Sequence, residues 1–150
     1  MTNRTPNESI DRITGMMIEL AQCSAEHRII LAGSNEPDRS FELHSRGFSR
    51  VVTTATCKLS RRQYDVALVE WRQHSIKALE TTLDWLVHFL SPIGVLVIWI
   101  DVAPERRKLR SAIEKLGFRV ETGTHCGRGF VVSARRDNVL QQTWPRKVAH

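Results

Sequence analysis

The sequence predicts an α/β protein: one doubly wound, mostly parallel sheet with helices on both faces and an antiparallel hairpin at its C-terminal end. Three observations predict this class. Continuous apolar segments of strand length alternate with amphipathic segments of helical period along most of the chain. The last two strand-like segments are separated by only a short turn. The length of 150 residues suits a single domain that buries its own core.

Residues 1–25 predict an N-terminal amphipathic helix packed on the domain. Thr5, Pro6 and Glu8 form a capping box with proline in the first turn, a pattern that satisfies or tolerates the unpaired backbone donors of a helix start. Apolar residues then recur at helical spacing, at Ile10, Ile13, Met17, Leu20 and Ala21.

The front of the main domain, which spans residues 26–136, begins with the apolar segment RIILAG at 28–33. Its continuous hydrophobicity predicts a strand buried on both faces of a parallel sheet. A short helix is expected over 37–46, with Gly47 as its left-handed cap. The β-branched segment SRVVTTA at 49–55 predicts the second strand.

The back of the domain continues with a third strand, YDVALVEW at 64–71. The segment at 75–90 places its leucines on one helical stripe, and SPIG at 91–94 is expected to end that helix through its proline and glycine. GVLVIWI at 94–100 predicts the most hydrophobic strand.

A helix is expected over 103–117, with proline in its first turn and Gly117 as its stop. The segments FRVETGTH at 118–125 and GFVVSARR at 129–136 flank CGR and predict a hairpin. Residues 137–150 are expected to form a basic tail.

Composition excludes several classes of protein. The longest apolar run, at residues 93–100, is far shorter than the ~20 residues of a membrane-spanning helix. The first ten residues lack the apolar core of a secretory signal. Cys23, Cys57 and Cys126 are scattered, so neither a disulfide framework nor a metal site is expected. These features predict a cytoplasmic protein without membrane contact.

The net charge is +6. Basic segments such as CKLSRR and ERRKLR carry the excess, and a basic surface attracts polyanions. Two interpretations stay open: an anionic partner such as a nucleic acid, or a solvated surface that aids solubility.

The order of the back-half segments is similar to a known family. YDVALVEW, a helix, LSPIGVLVIWI at 90–100, a helix, and LGFRVETGTHCGRGFVVSARR at 116–136 resemble the second half of the class I (Rossmann-like) S-adenosylmethionine-dependent methyltransferases. The resemblance extends over roughly residues 26–136 and describes a short, degenerate member. The short connection between the second and third strands implies that the front half has lost an edge element.

The resemblance implies an S-adenosylmethionine site at the first loop. That loop, LAGSNEPD, keeps one glycine of the family's glycine-rich pattern, and Asn35 and Pro37 occupy the places of the next two. The second strand ends in threonines where the family commonly has an acidic residue for the ribose. The implied cofactor-binding residues are Ala32, Gly33, Ser34, Asn35, Glu36, Thr53, Thr54, Glu70 and Trp71.

Two residues are candidates for catalysis of methyl transfer to an unidentified acceptor. Glu70 follows a central strand, where ligands of open α/β sheets bind, and a carboxylate there is suited to orienting or deprotonating an acceptor. The alternative for Glu70 is a strand-end residue that pairs with Arg72. His74 titrates near neutral pH and is suited to a general base, or it is an exposed loop residue.

Two functions therefore stay open at this point. The first is a small methyltransferase, and the second is a catalytically inactive binding module of the same fold for a protein or nucleic-acid partner. A sheet that has lost an edge strand also invites pairing with another chain, which predicts a possible homo-oligomer.

Overall fold

The computed structural model describes residues 4–54, 56, 63–72, 75–101, 106–126 and 129–136. Within these residues the elements alternate as expected from the sequence. Their bounds are α1 Arg4–Ala21, β1 Ile29–Gly33, α2 Glu36–Ser45, β2 Val51–Thr53, β3 Tyr64–Trp71, α3 Ile76–Leu86, β4 Leu90–Ile100, α4 Arg106–Lys115, β5 Phe118–Cys126 and β6 Gly129–Arg136.

The described strands form one six-stranded sheet in the order β2-β1-β3-β4-β6-β5. The first four run parallel, and β6 and β5 are antiparallel to their neighbours. This arrangement confirms the predicted α/β class and its closing hairpin. In the described part of the chain β2 forms one edge of the sheet, as the short connection before β3 predicts.

Helices cover both faces of the sheet, so the protein has two apolar layers. One face, the α1/α2 face, packs Ile13, Met17 and Leu43 against the sheet. The opposite face, the α3/α4 face, packs Leu79, Leu83, Leu86, Leu109 and Ile113. Alternate side chains of each central strand therefore enter different layers, because successive side chains of a strand point to opposite faces.

One sequence prediction about the back half is wrong in detail. SPIG at 91–94 does not separate a helix from a strand, because α3 ends at Leu86 and β4 already begins at Leu90. Tyr64 pairs with Leu90 whereas Val66 pairs with Val95, so the SPIG residues bulge out of β4. A bulge tolerates proline within a strand, since a proline there removes no ladder donor.

The two other expected helix stops, Gly47 and Gly117, are confirmed. Gly47 follows α2 with φ +98° and Gly117 follows α4 with φ +86°, the left-handed conformation that favours glycine. The capping box at residues 5–8 falls in the first turn of α1, whose side chains lie outside the described residues, as does the predicted tail at 137–150. None of the described helices is both long and apolar enough to cross a membrane.

Candidate cofactor site at the carboxyl ends of β1, β2 and β3

The loop after β1 crosses directly over the end of β3. The Ser34 N–H donates to the carbonyl oxygen of Glu70 at 2.7 Å. Gly33 adopts φ +94°, and a Cβ atom built on it would lie 2.0 Å from the same carbonyl oxygen. Glycine is therefore required at this position by the contact between two strands, independently of any ligand.

Asn35 makes the turn into α2. Its backbone is left-handed, with φ 60° and ψ 33°, and its side-chain Nδ2 donates to Glu70 Oε2 at 2.9 Å. Asparagine tolerates this conformation better than most residues. Asn35, which stands where the resemblance leads us to expect a second glycine, thus makes a left-handed turn and adds a side-chain contact.

Glu36, the first residue of α2, ties the loop to the end of β2. Its Oε1 accepts a hydrogen bond from the Thr54 N–H at 2.9 Å. The Thr54 hydroxyl lies 2.9 Å from both carboxylate oxygens and donates to them. A carboxylate therefore stands at the end of β2, although β2 itself ends in threonines. It comes from the first residue of α2.

Thr53 is committed to a different contact. The Ile29 N–H donates to the carbonyl oxygen of Arg50, so the main-chain groups of Arg50 point towards β1. Since these groups alternate in direction along a strand, those of Thr53, three residues later, point away from β1. The Thr53 N–H donates to the Thr56 hydroxyl at 2.9 Å, and the Thr53 carbonyl accepts the Thr56 N–H at 3.0 Å. Both main-chain groups of Thr53 are therefore bonded within the chain.

Glu70 lies at the centre of a buried polar network on the α1/α2 face. The residue is 1 % exposed. One carboxylate oxygen forms an ion pair with Arg39 Nη1, and the other accepts from Arg72 Nε as well as from Asn35. Both oxygens of Glu70 are thus engaged by donors. The predicted pairing with Arg72 is present.

The two arginines of this network are anchored differently. Arg39 is 2 % exposed, and its Nε donates to the hydroxyl of Thr14 in α1 at 2.9 Å. Burial lowers the pKa of the Arg39 guanidinium, and the Glu70 carboxylate opposes that change. Arg72 is half-buried, with its guanidinium 4.5 Å above the centre of the Trp99 ring. The network therefore joins α1, α2, β3 and β4.

Sequence reasoning missed the part of this network supplied by the helices. Arg39 precedes Leu43 by four residues, so both side chains share the inner face of α2, and both are buried. An arginine in register with a core leucine was the signal for a buried partner. Thr14 carried no such signal, because threonine is common on helix surfaces.

Other predicted site residues lie apart from the network. Trp71 points to the α3/α4 face, opposite to Glu70, and its Nε1 donates to the Ser75 carbonyl at 3.4 Å. Ala32 is buried on the same α3/α4 face. His74 lies outside the described residues. The structure therefore brings together residues 33–36, Thr54 and Glu70, and separates the Trp71 ring from them.

Comparison with solved structures places this arrangement among known folds. The chain superposes on a Burkholderia thailandensis 1,6-didemethyltoxoflavin-N1-methyltransferase with bound S-adenosylhomocysteine, with TM-score 0.61 and 14% identity over 87% of this chain and 80% of that one. It also superposes on an Aquifex aeolicus SAM dependent methyltransferase, with TM-score 0.60 and 12% identity over 85% and 92% of the two chains. The chain has the class I methyltransferase fold.

The sequence of this methyltransferase-fold protein is far from those of its structural neighbours. No protein-family model and no curated protein sequence matches it. A third neighbour is the [4+2]-cyclase SpnF, with TM-score 0.62 and 12% identity over 84% of this chain and 80% of that one. The same fold thus carries proteins named for different reactions, and function has to be argued from the site.

Proposed function

We propose that this methyltransferase-fold protein binds S-adenosylmethionine at residues 33–36 and transfers its methyl group to an acceptor yet to be identified. The observation that supports this proposal most is the Glu36 carboxylate, held against Thr54 at the end of β2. The resemblance leads us to expect an acidic group there for the ribose. This chain supplies one from the first residue of α2 instead of from the strand.

The residues present suit the cofactor at the start of α2. An ionised carboxylate accepts about four hydrogen bonds, so the contacts of Glu36 with Thr54 leave acceptor capacity for ribose hydroxyls. Bound S-adenosylmethionine would supply an electrophilic methyl group, and the loop would hold it in position.

We propose that Glu70 is a positioning residue in this function. Its oxygens accept hydrogen bonds from Arg39, Arg72 and Asn35, and the bond from Asn35 fixes the loop after β1 to the end of β3. Because donors engage both oxygens, this geometry favours orientation over proton abstraction. Trp71 and His74 follow Glu70 in the chain and stay predictions for the acceptor side.

The role of Glu36 is tested by calorimetric titration with S-adenosylmethionine and S-adenosylhomocysteine. Glu36→Gln is expected to weaken both by about 10- to 100-fold, the effect of losing hydrogen bonds to a charged group. Asp38→Asn is the matched control, since it removes the same charge from the same turn of α2 at an exposed position. Equal effects of the two variants would contradict the proposed contact.

The second candidate function is a catalytically inactive methyltransferase-fold binding module. The engagement of both Glu70 oxygens favours it, because no general base is evident among the described residues of the loop network. The same titration separates the candidates. If millimolar cofactor gives no heat of binding and no thermal stabilisation, the enzyme is excluded and the binding module is favoured. The reason is that a ligand that binds the folded state raises its stability.

A further inference from the structure

The positive charge of the protein is concentrated at one end of its sheet. Nine of the 22 arginines and lysines lie in residues 106–136, together with only two of the 16 aspartates and glutamates. This segment therefore has a formal charge of +7, whereas the rest of the chain has −1. The described residues of this segment, 106–126 and 129–136, contain α4, β5 and β6, and α4 lies beside β5.

A groove of about 380 Å³ separates α4 from the hairpin on the α3/α4 face. One wall carries Arg107 and Arg110 of α4, and the floor consists of Val120, Phe130 and Val132. Its volume falls within the range of about 300 to 1,000 Å³ that is usual for ligand sites. We call this feature the α4 groove. Since β5 is the last strand of the described sheet, no further described strand closes its outer side.

The charges of the α4 groove are unequal. Arg107 and Arg110 are exposed, and the contact of Arg110 with Glu114 is a surface pair of 3.3 Å that contributes little free energy. Glu121 on the opposite wall already has a basic partner, Arg135, at 3.0 Å. The guanidinium groups of the α4 wall therefore define the charge that a ligand meets.

The floor of the groove is aromatic at its inner end. The Phe130 ring lies across Gly123, where an added Cβ would come within 2.9 Å of it. The exposed His125 ring packs against it in an edge-to-face arrangement, with 5.3 Å between the ring centroids. Phe130 pairs with Ile100, the last residue of β4, so this end of the groove adjoins the carboxyl edge of the sheet. Glycine at position 123 thus leaves room for an aromatic ring on an otherwise aliphatic floor.

We propose that the α4 groove binds single-stranded nucleic acid, with phosphates at Arg107 and Arg110 and a base against Phe130. Proteins that bind single strands combine a positively charged groove with aromatic side chains on which bases stack. Polyglutamate, an acidic peptide, would match the charges but has no flat ring for Phe130. A bilayer surface cannot enter a recess. This binding is separate from the cofactor site and does not depend on it.

The test is fluorescence anisotropy with a labelled single-stranded RNA of about 12 nucleotides, a length that spans typical binding sites. Titrations are made without cofactor at increasing KCl concentration. The wild type is expected to bind, with an affinity that falls with salt. The double variant Arg107→Ala/Arg110→Ala is expected to bind at least about tenfold more weakly, with a salt slope reduced by about 1.4, or about 0.7 for each lost phosphate contact.

Stacking is tested at Phe130. Phe130→Leu is expected to weaken binding by about tenfold with an unchanged salt slope, whereas Phe130→Tyr restores it, because stacking requires a ring. Equal binding by Phe130→Leu and the wild type would overturn the stacking contact. If Phe130→Leu does not fold, the exposed arginine pair still decides the proposal.

The control for charge is Arg12→Ala/Arg50→Ala, which removes two exposed arginines away from the groove. It is expected to bind RNA nearly as the wild type does. Three results would overturn the proposal: equal loss in this control and in the groove variant, competition by polyglutamate as effective as by RNA, or binding to phosphatidylserine vesicles without binding to RNA.

Discussion

Replacement of Gly33 by alanine is expected to lower the free energy of unfolding by about 3–5 kcal/mol. Two effects add at this position. The backbone has φ +94°, which is strained for a residue with a Cβ, and the new atom would lie 2.0 Å from the Glu70 carbonyl oxygen. That oxygen belongs to β3 and cannot move aside as a flexible side chain would. Urea denaturation measures the loss.

Gly47→Ala is the matched control for Gly33→Ala. Gly47 has φ +98°, close to the φ of Gly33, but nothing lies within 4 Å of the position that its Cβ would take. It is expected to lose only about 1–2 kcal/mol, the cost of the left-handed conformation alone. Similar losses at the two glycines would show that β1 and β3 are not in close contact there. Loss of cofactor binding by a Gly33 variant does not identify Gly33 as a cofactor contact, because the substitution also alters the fold.

Glu70→Leu is expected to destabilise the protein by about 3–5 kcal/mol, because it leaves the Arg39 guanidinium buried without its carboxylate. Arg39 is 2 % exposed, and its Nη2 already lacks a partner among the described residues. Water therefore cannot reach the guanidinium to replace the hydrogen bond that the carboxylate made. The double variant Glu70→Leu/Arg39→Met is expected to recover most of the loss, since it removes both charges and keeps apolar volume. Chemical denaturation of these two variants and of the single variant Arg39→Met gives the coupling energy.

The exposed pair of Arg110 and Glu114 provides the comparison. Its side chains are 63% and 53% exposed, so Glu114→Gln is expected to change stability by less than about 0.5 kcal/mol. A Glu70→Leu variant that is equally mild, or a double variant that recovers nothing, would mean that Glu70 and Arg39 do not stabilise each other. The buried network would then have no part in holding the loop.

Much of the fold could be predicted because its signals are local. The apolar segments of β1, β3 and β4 are continuous, and the helices between them begin and end at recognisable proline and glycine positions. The β5–β6 hairpin was evident from two strand-like segments on either side of a short turn. The bulge at residues 91–94 was missed, because proline and glycine signal a helix end and a strand irregularity alike.

The candidate site was less predictable, because it depends on which way side chains point. In a strand that is apolar throughout, the pattern does not reveal which face receives each residue. Glu70 and Trp71 are adjacent in sequence and enter opposite layers of the protein. The partner of Glu70 from α2, Arg39, lies 31 positions away in sequence, so no local spacing links the two.

By itself, then, the sequence determined the order of elements, the sheet with its closing hairpin, and the loop on which a cofactor site would depend. It also determined that Asn35 and Pro37 stand where glycines are usual. Only the tertiary structure decided that Gly33 is required by β3, that Glu36 brings a carboxylate to Thr54, and that α4 and the hairpin enclose a basic groove. The physical reason is that periodicity and capping act over a few residues, whereas burial and charge pairing depend on residues that only the folded chain brings into contact.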